Sequence, residues 1–357
     1  MKFLLAIVMG LSLQVAAQAQ NPLDLAMEIQ EINRDFNGAL GYPVFVVNKP
    51  QFQQFLAKNN ITDFDNRVLV ARALYAFVKQ NHHVEMQPDE AMSLANFFAP
   101  SFKEASAMPF FVDKMRFSSM KYCVVIPSEG GGSVLEEIKR MTGADSQPEL
   151  YAGVDLEKLA KLFTRDELQL FSLYHELSHC LDQNYIWSIN EFEVVPHNVH
   201  LFESFAETNA LLLLAQRKGL KSLGASRSIL RAVYSKYYGP AIAKIDANVF
   251  AGAVNRAGGS VYFLPTVLLA TQKQIDTNFE SIAAMKLTDT LALSKSIVEN
   301  HALDKASFEV LNMLMVNGSD ETLAYCQRMA AKKPSKFLKP YLDLLYYKSI
   351  LDGVGNL

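Results

Sequence analysis

Within Tyr174-His175-Glu176-Leu177-Ser178-His179-Cys180-Leu181-Asp182, two histidines stand four residues apart, with a glutamate directly after the first. On a helix turning about 100° per residue, His175 and His179 project from one face, about one turn apart. Glu176 lies on the flank of that face, close enough to hold a water on a metal without ligating the metal itself. Two neutral imidazoles beside a carboxylate suit Zn²⁺, which takes nitrogen and oxygen donors in tetrahedral geometry. The chemistry available to such a set is hydrolysis by an activated water. Only 7 of the 357 residues are histidine, so composition alone gives this spacing rarely. The competing reading is a helix whose two histidines merely pack or face solvent.

The chemistry requires a helix, and the flanking residues predict one. Thr164-Arg165-Asp166-Glu167 reads as a capping box, with Thr164 at the N-cap and Glu167 reaching back. Leu168, Leu170, Phe171, Leu173, Tyr174, Leu177 and Leu181 then follow, mostly at three- and four-residue steps. The helix should run from about Arg165 to Gln183. A third ligand is needed, because catalytic zinc usually keeps three protein ligands and one open position. His200 to Arg217 forms a second helical stretch, from about Val199, ended near Gly219. On it Glu203 and Glu207 share a face. That pair makes sense if Glu203 ligates zinc and Glu207 hydrogen-bonds a ligand histidine. Glu191, Glu193 and His200 are the other candidates for third ligand, and Asp182 either supports a ligand or caps the helix end.

His175-Glu176-x-x-His179 followed by Glu203-x-x-x-Glu207 on a later helix resembles the gluzincin group of zinc metallopeptidases, thermolysin-like in the broad sense. The resemblance covers about fifty residues, Thr164 to Arg217. It implies one zinc ion held by His175, His179 and Glu203. Glu207 would stand where an Asp usually supports a ligand histidine. It also implies Glu176 as the group that takes the water proton and passes it to the leaving amine. A Tyr or His from the lobe after the third ligand commonly faces the oxyanion. Tyr234, Tyr237, Tyr238 and Tyr262 are candidates, and Tyr262 is preferred because a small-residue turn beginning a helix would present it. Such enzymes hold an extended peptide against an edge strand, for which Met120 to Pro127 is the best strand in the chain. The Gly-rich loop after it is a connector or lid, and no Gly-Lys-Ser/Thr marks it as a phosphate loop.

Met1-Lys2, the apolar run Phe3 to Leu11 and Ala17-Gln18-Ala19 read as a secretory signal peptide cut before Gln20. Export to the periplasm or beyond is therefore expected, with no membrane span after the signal is removed. The net charge of −3 and the lack of a basic stripe argue against nucleic acid as a partner. A peptide or protein substrate is the expected partner. Cys123, Cys180 and Cys326 do not make a disulfide framework, although one pair can form in an oxidising compartment. Cys180 points away from His179, for which burial is the simpler account.

With half of its residues apolar, the chain can bury a large core. The expected architecture is mainly helical α+β. A zincin-like metallopeptidase core with a small sheet (111–223) would follow a signal peptide (1–19) and a helical N-terminal region (20–110). A helical C-terminal lobe (224–357) would complete it, with breaks near Gly239-Pro240, Gly258-Gly259 and Gly318. Three functions compete: an exported zinc-dependent peptidase, a catalytically silent zinc- or peptide-binding protein on the same scaffold, and a helical interaction protein in which the motif is accidental.

Overall fold

A computed structural model of the chain describes residues 24–98, 102, 104–112, 119–128, 132–186, 195–242 and 257–356. The expected signal peptide and the candidates Glu191 and Glu193 lie outside the described residues. The N-terminal part runs α1 (Leu25–Phe36), β1 (Val44–Val46), α2 (Lys49–Lys58), α3 (Arg67–His82) and α4 (Pro88–Ala95). The middle holds β2 (Ser106–Phe111), β3 (Met120–Ile126), α5 (Val134–Thr142), α6 (Leu156–Ala160), α7 (Arg165–Leu181) and α8 (Pro196–Lys218). Then come α9 (Leu223–Val233), a π-turn at Tyr234–Tyr238, and the short α10 (Gly239–Ile242) and α11 (Gly258–Val261). The helices α12 (Pro265–Ala283), α13 (Leu287–His301), α14 (Lys305–Asn317), α15 (Ser319–Lys332) and α16 (Pro334–Gly353) complete the chain. The protein is mainly helical with one small sheet.

The sheet has the order β1-β3-β2, with β1 parallel and β2 antiparallel to β3. Because side chains alternate across a strand, β3 feeds two cores at once. Cys123 and Val125 enter the core shared with α7, while Tyr122, Val124 and Ile126 enter the one shared with α2, α3 and α4. β1 does the same, with Val44 and Val46 on one side and Phe45 on the other. Met120 to Ile126 is thus the central strand, not the edge strand expected for substrate. Burial of both its faces explains why its run is apolar without alternation. Among the described residues β2 pairs only with β3, and its Ala107 meets Glu176 of α7.

α7 begins as its sequence dictates. The Thr164 hydroxyl accepts from the Glu167 N–H at 3.2 Å and the Glu167 carboxylate accepts from the Thr164 N–H at 2.7 Å. Its apolar face packs on β3 and α8 through Leu173, Leu177 and Leu181, all nearly fully buried, each stabilising the fold by about 1.5–3 kcal/mol. α8 starts at Pro196, a residue suited to the first helical turn, and stops at Gly219, whose φ of +68° only a glycine adopts without strain. A buried polar knot fixes the register of the two helices. Asn209 on α8 donates to the Ser178 hydroxyl on α7 at 2.9 Å and accepts from Ser294 on α13 at 3.1 Å.

The one cysteine pair that the sequence allows is formed, and one expected helix break needs correction. Cys123 and Cys180 form a disulfide that joins the central strand to the end of α7, leaving Cys326 as a buried free thiol. Cys180 is fully buried, as expected. Gly239-Pro240 does not break the helix. The Gly239 N–H reaches the Tyr234 carbonyl, five residues back, and the chain continues as α10 through a widened turn.

Candidate metal centre

The side chains of His175, His179 and Glu203 converge. Nε2 of His175 lies 3.2 Å from Nε2 of His179 and 3.4 Å from a Glu203 oxygen, and His179 Nε2 lies 3.7 Å from the other oxygen. A tetrahedral ion bonded at about 2.1 Å holds its ligand atoms roughly 3.4 Å apart. The three separations bracket that edge, so the group can hold a metal ion. α7 supplies both imidazoles from one face and α8 crosses it to bring the carboxylate, as the four-residue spacing and the second helix predict.

Within the cluster, burial competes with the charge of neighbouring groups. Burial opposes charge on every member. It depresses His179 to about 3, aided by the neighbouring His175. For His175, burial is outweighed by the hydrogen bond and charge of Glu203, so its pKa rises. Burial likewise works against the Glu203 carboxylate, but the His175 bond and the histidine charges hold it at about 2.

Glu176 lies in the same cleft and does not join the ligand atoms. Burial pushes its carboxyl up to about 7, opposed by His175 and by the Ala107 N–H of the β2 edge, which donates to it. The cleft measures about 630 Å³, within the range of pockets that bury small ligands. Tyr262 and Tyr234 line it together, with ring centroids 5.5 Å apart. Tyr262 closes the short helix α11 rather than beginning a helix, its N–H bonding to the Gly258 carbonyl at 3.0 Å. The charge of Glu203, then burial, raises its pKa, so its hydroxyl stays a donor. Tyr237 and Tyr238 are not among the residues lining this cleft.

The expected supports for the histidines are arranged differently. Glu207 does not hydrogen-bond either ligand histidine. Its carboxylate is fully buried and taken by Arg227 and Arg231 of α9, with Arg231 Nε donating at 2.8 Å and Arg227 Nε at 3.3 Å. It reaches the histidines only through its charge. Asp182 is not a ligand support either. It is the C-cap of α7 and accepts from the Asn184 N–H at 2.7 Å and the Tyr185 N–H at 3.0 Å, turning the chain away from the helix. Nδ1 of His175 and Nδ1 of His179 have no hydrogen-bond partner among the described residues. Packing orients the rings instead, with Phe202 stacked on His179 at 4.0 Å between centroids and Phe171 beside His175 at 6.0 Å.

His200 does not touch the cluster. It is buried, with Nδ1 donating to the Val261 carbonyl at 2.9 Å and Nε2 accepting from the Leu303 N–H at 3.0 Å. Those partners require the neutral Nδ1–H tautomer, in keeping with a pKa lowered to about 4 by burial. His200 thus ties α8 to the residue preceding Tyr262. Arg227, Arg231 and the β2 edge went unrecognised in the sequence. The signal for the arginines was available: two cations four residues apart within Ser226-Arg227-Ser228-Ile229-Leu230-Arg231, a segment whose other members are apolar or small. No family model, no curated protein and no solved structure matches the chain.

Proposed function

We propose that the protein is an exported zinc-dependent peptidase with a zincin-like core of the gluzincin type. The observation that carries this reading is the convergence of His175, His179 and Glu203 at tetrahedral-edge distances, with the Glu176 carboxylate beside them in an open cleft. Two imidazoles and one carboxylate are the donor set that zinc favours, and they leave one position open. When bound, zinc supplies Lewis acidity at the scissile carbonyl and makes a water molecule acidic enough to lose a proton near neutral pH. Glu176 takes that proton on its carboxylate and later delivers it to the leaving amine. Tyr262 donates its hydroxyl hydrogen to the carbonyl oxygen as charge develops there. The Ala107 N–H fixes the Glu176 carboxylate for the transfer. The Cys123–Cys180 disulfide supports export, since disulfides persist in oxidising compartments.

The test is metal content. The mature chain, purified from medium containing zinc, should carry about one zinc per chain, and Glu203→Ala should lower occupancy at least tenfold in the same preparation, within the cost typical of losing ligand interactions. No metal at near-stoichiometric level in the wild type sinks the reading. A catalytically silent zinc- or peptide-binding protein is the second reading, and the Nδ1 atoms of His175 and His179, without a partner among the described residues, favour weak metal binding over turnover. Peptide cleavage that a chelator abolishes decides for turnover.

A pH dependence follows from Glu176. Its carboxyl must be ionised to accept a proton, and burial raises its pKa to about 7. On acidification kcat/KM should therefore fall on a single limb, tenfold per pH unit once below the operative pKa. The charge of a bound dication opposes burial, so the limb lies between 7 and the ordinary value of 4.5. A rate flat from pH 8 to below that value would exclude Glu176 as the base.

A further inference from the structure

The cleft wall formed by α9 carries two arginines, and their charge is not balanced by the carboxylate that holds them. Among the described residues, the ion pairs of Arg227 and Arg231 both go to Glu207, which is fully buried behind the wall. Glu137, whose charge also reaches Arg227, is paired with Arg140. Glu203, whose charge also reaches Arg231, is engaged by His175 at 3.4 Å. The Arg227–Arg231–Glu207 group thus keeps one positive charge in excess, in a setting where its side chains are only 3% and 14% exposed. An uncompensated buried cation is costly, and an anion entering the cleft would relieve it.

The geometry says which guanidinium meets that anion. Arg227 is the inner one, its Cζ 4.0 Å over the Phe171 ring and its Nη1 toward the Met141 sulfur. Arg231 is the more exposed. It gives Nε and Nη2 to one oxygen of Glu207, and Nη1 is not part of that pairing. Its Cζ lies 5.2 Å from the centre of the Tyr262 ring, so the excess charge sits next to the group that faces the reacting carbonyl. The planar guanidinium is suited to a carboxylate, and Glu207 holds it in place beforehand.

We infer that Arg231, backed by Arg227, receives the free C-terminal carboxylate of a peptide, making this cleft one for short peptides cut near their C-terminus. The inference deepens the peptidase reading and rests on it for the cleavage, but the carboxylate site stands on the arginine cluster alone. Consecutive Cα atoms are about 3.8 Å apart, so a carboxylate on Arg231 places the bond beside Tyr262 within roughly two residues of the terminus. Glu104, which lines the cleft and whose charge reaches Glu176, discourages the reverse orientation.

The experiment compares N-acetylated Phe-Ala-Ala-Leu bearing a free carboxylate with its carboxamide twin. Binding to the full mature chain, stripped of metal by chelation, is measured by calorimetry so that the carboxylate cannot bind zinc instead. The acid should bind about tenfold more tightly than the amide, a charge-assisted pair's worth of preference. Arg231→Gln should reduce that ratio to below about twofold, and Arg231→Lys should retain part of it, because charge survives while the fork is lost. Thermal melting checks that each variant folds, and the wild-type ratio decides if neither does. Equal binding of acid and amide by the wild type, no measurable binding of the acid, or an unchanged ratio in a folded Arg231→Gln protein overturns the inference. On the zinc-loaded chain, cleavage should fall at the last or next-to-last peptide bond. Internal cleavage of both peptides at equal kcat/KM overturns the inference and leaves the peptidase standing. A carboxylate preference in binding without any hydrolysis leaves the site standing and removes the peptidase.

Discussion

Glu176→Gln should lower peptide hydrolysis by about a thousandfold, within the 10²–10⁴ range for losing a general base, while the protein still takes up zinc. The reason lies in what the substitution preserves. Glutamine matches the size of glutamate and keeps an oxygen to accept from the Ala107 N–H, so the side chain stays in its buried place against β2. Glu176 is not among the three converging ligand atoms, and metal binding does not depend on it. What disappears is the ability to take a proton. Steady-state rates on a peptide mixture, with zinc content measured on the same samples, check both halves. If zinc is retained and the rate falls less than tenfold, another group serves as base. If zinc is lost with the activity, Glu176 belongs to the coordination sphere.

The second large effect concerns the covalent tie beneath the site. Cys123 and Cys180 are separated by 57 residues, and closing a loop of that size restricts the unfolded chain by about 4 kcal/mol on the chain-entropy account. Both cysteines are fully buried, so replacing them by alanine adds little room for water. Urea unfolding of the Cys123→Ala/Cys180→Ala protein should show a loss of that order against the oxidised wild type. Added reductant should destabilise the wild type toward the variant and leave the variant unmoved. Cys180 directly follows His179, and the bond anchors that end of α7 to the central strand. Zinc affinity should therefore fall together with stability. Equal urea midpoints for the two proteins under oxidising conditions would mean that the crosslink contributes nothing to the folded state.

What the sequence disclosed and what it withheld divide along a physical line. Local pattern was readable. The Thr164–Glu167 box starts α7 where its apolar steps begin, and Gly219 ends α8 where the helical run stops. The 3.6-residue period then sets His175 and His179 on one face without reference to the rest of the molecule. Partners distant in sequence were not readable. Nothing near Cys180 names Cys123, and nothing near Glu207 names Arg227 or Arg231 on the next helix. The expectation that Glu207 supports a histidine followed from its spacing alone, while its actual partners depend on how α9 packs. β3 was a different kind of error. Tyr122-Cys123-Val124-Val125-Ile126 is apolar on both faces, and that lack of alternation is the mark of an interior strand rather than an edge.

One feature of the cleft has no side chain at all. α10 and α11 cross at Gly239 and Gly259, and a Cβ on Gly239 would lie only 2.5 Å from the Gly259 Cα, while one on Gly259 would lie 2.9 Å from the Gly239 Cα. Tyr262 hangs from α11, three residues past this crossing. The position of Tyr262 in the cleft is therefore set by how near two backbones come. For the evolution of the chain, this means that the cleft can acquire new side chains around its rim far more freely than it can acquire a single methyl group at either glycine.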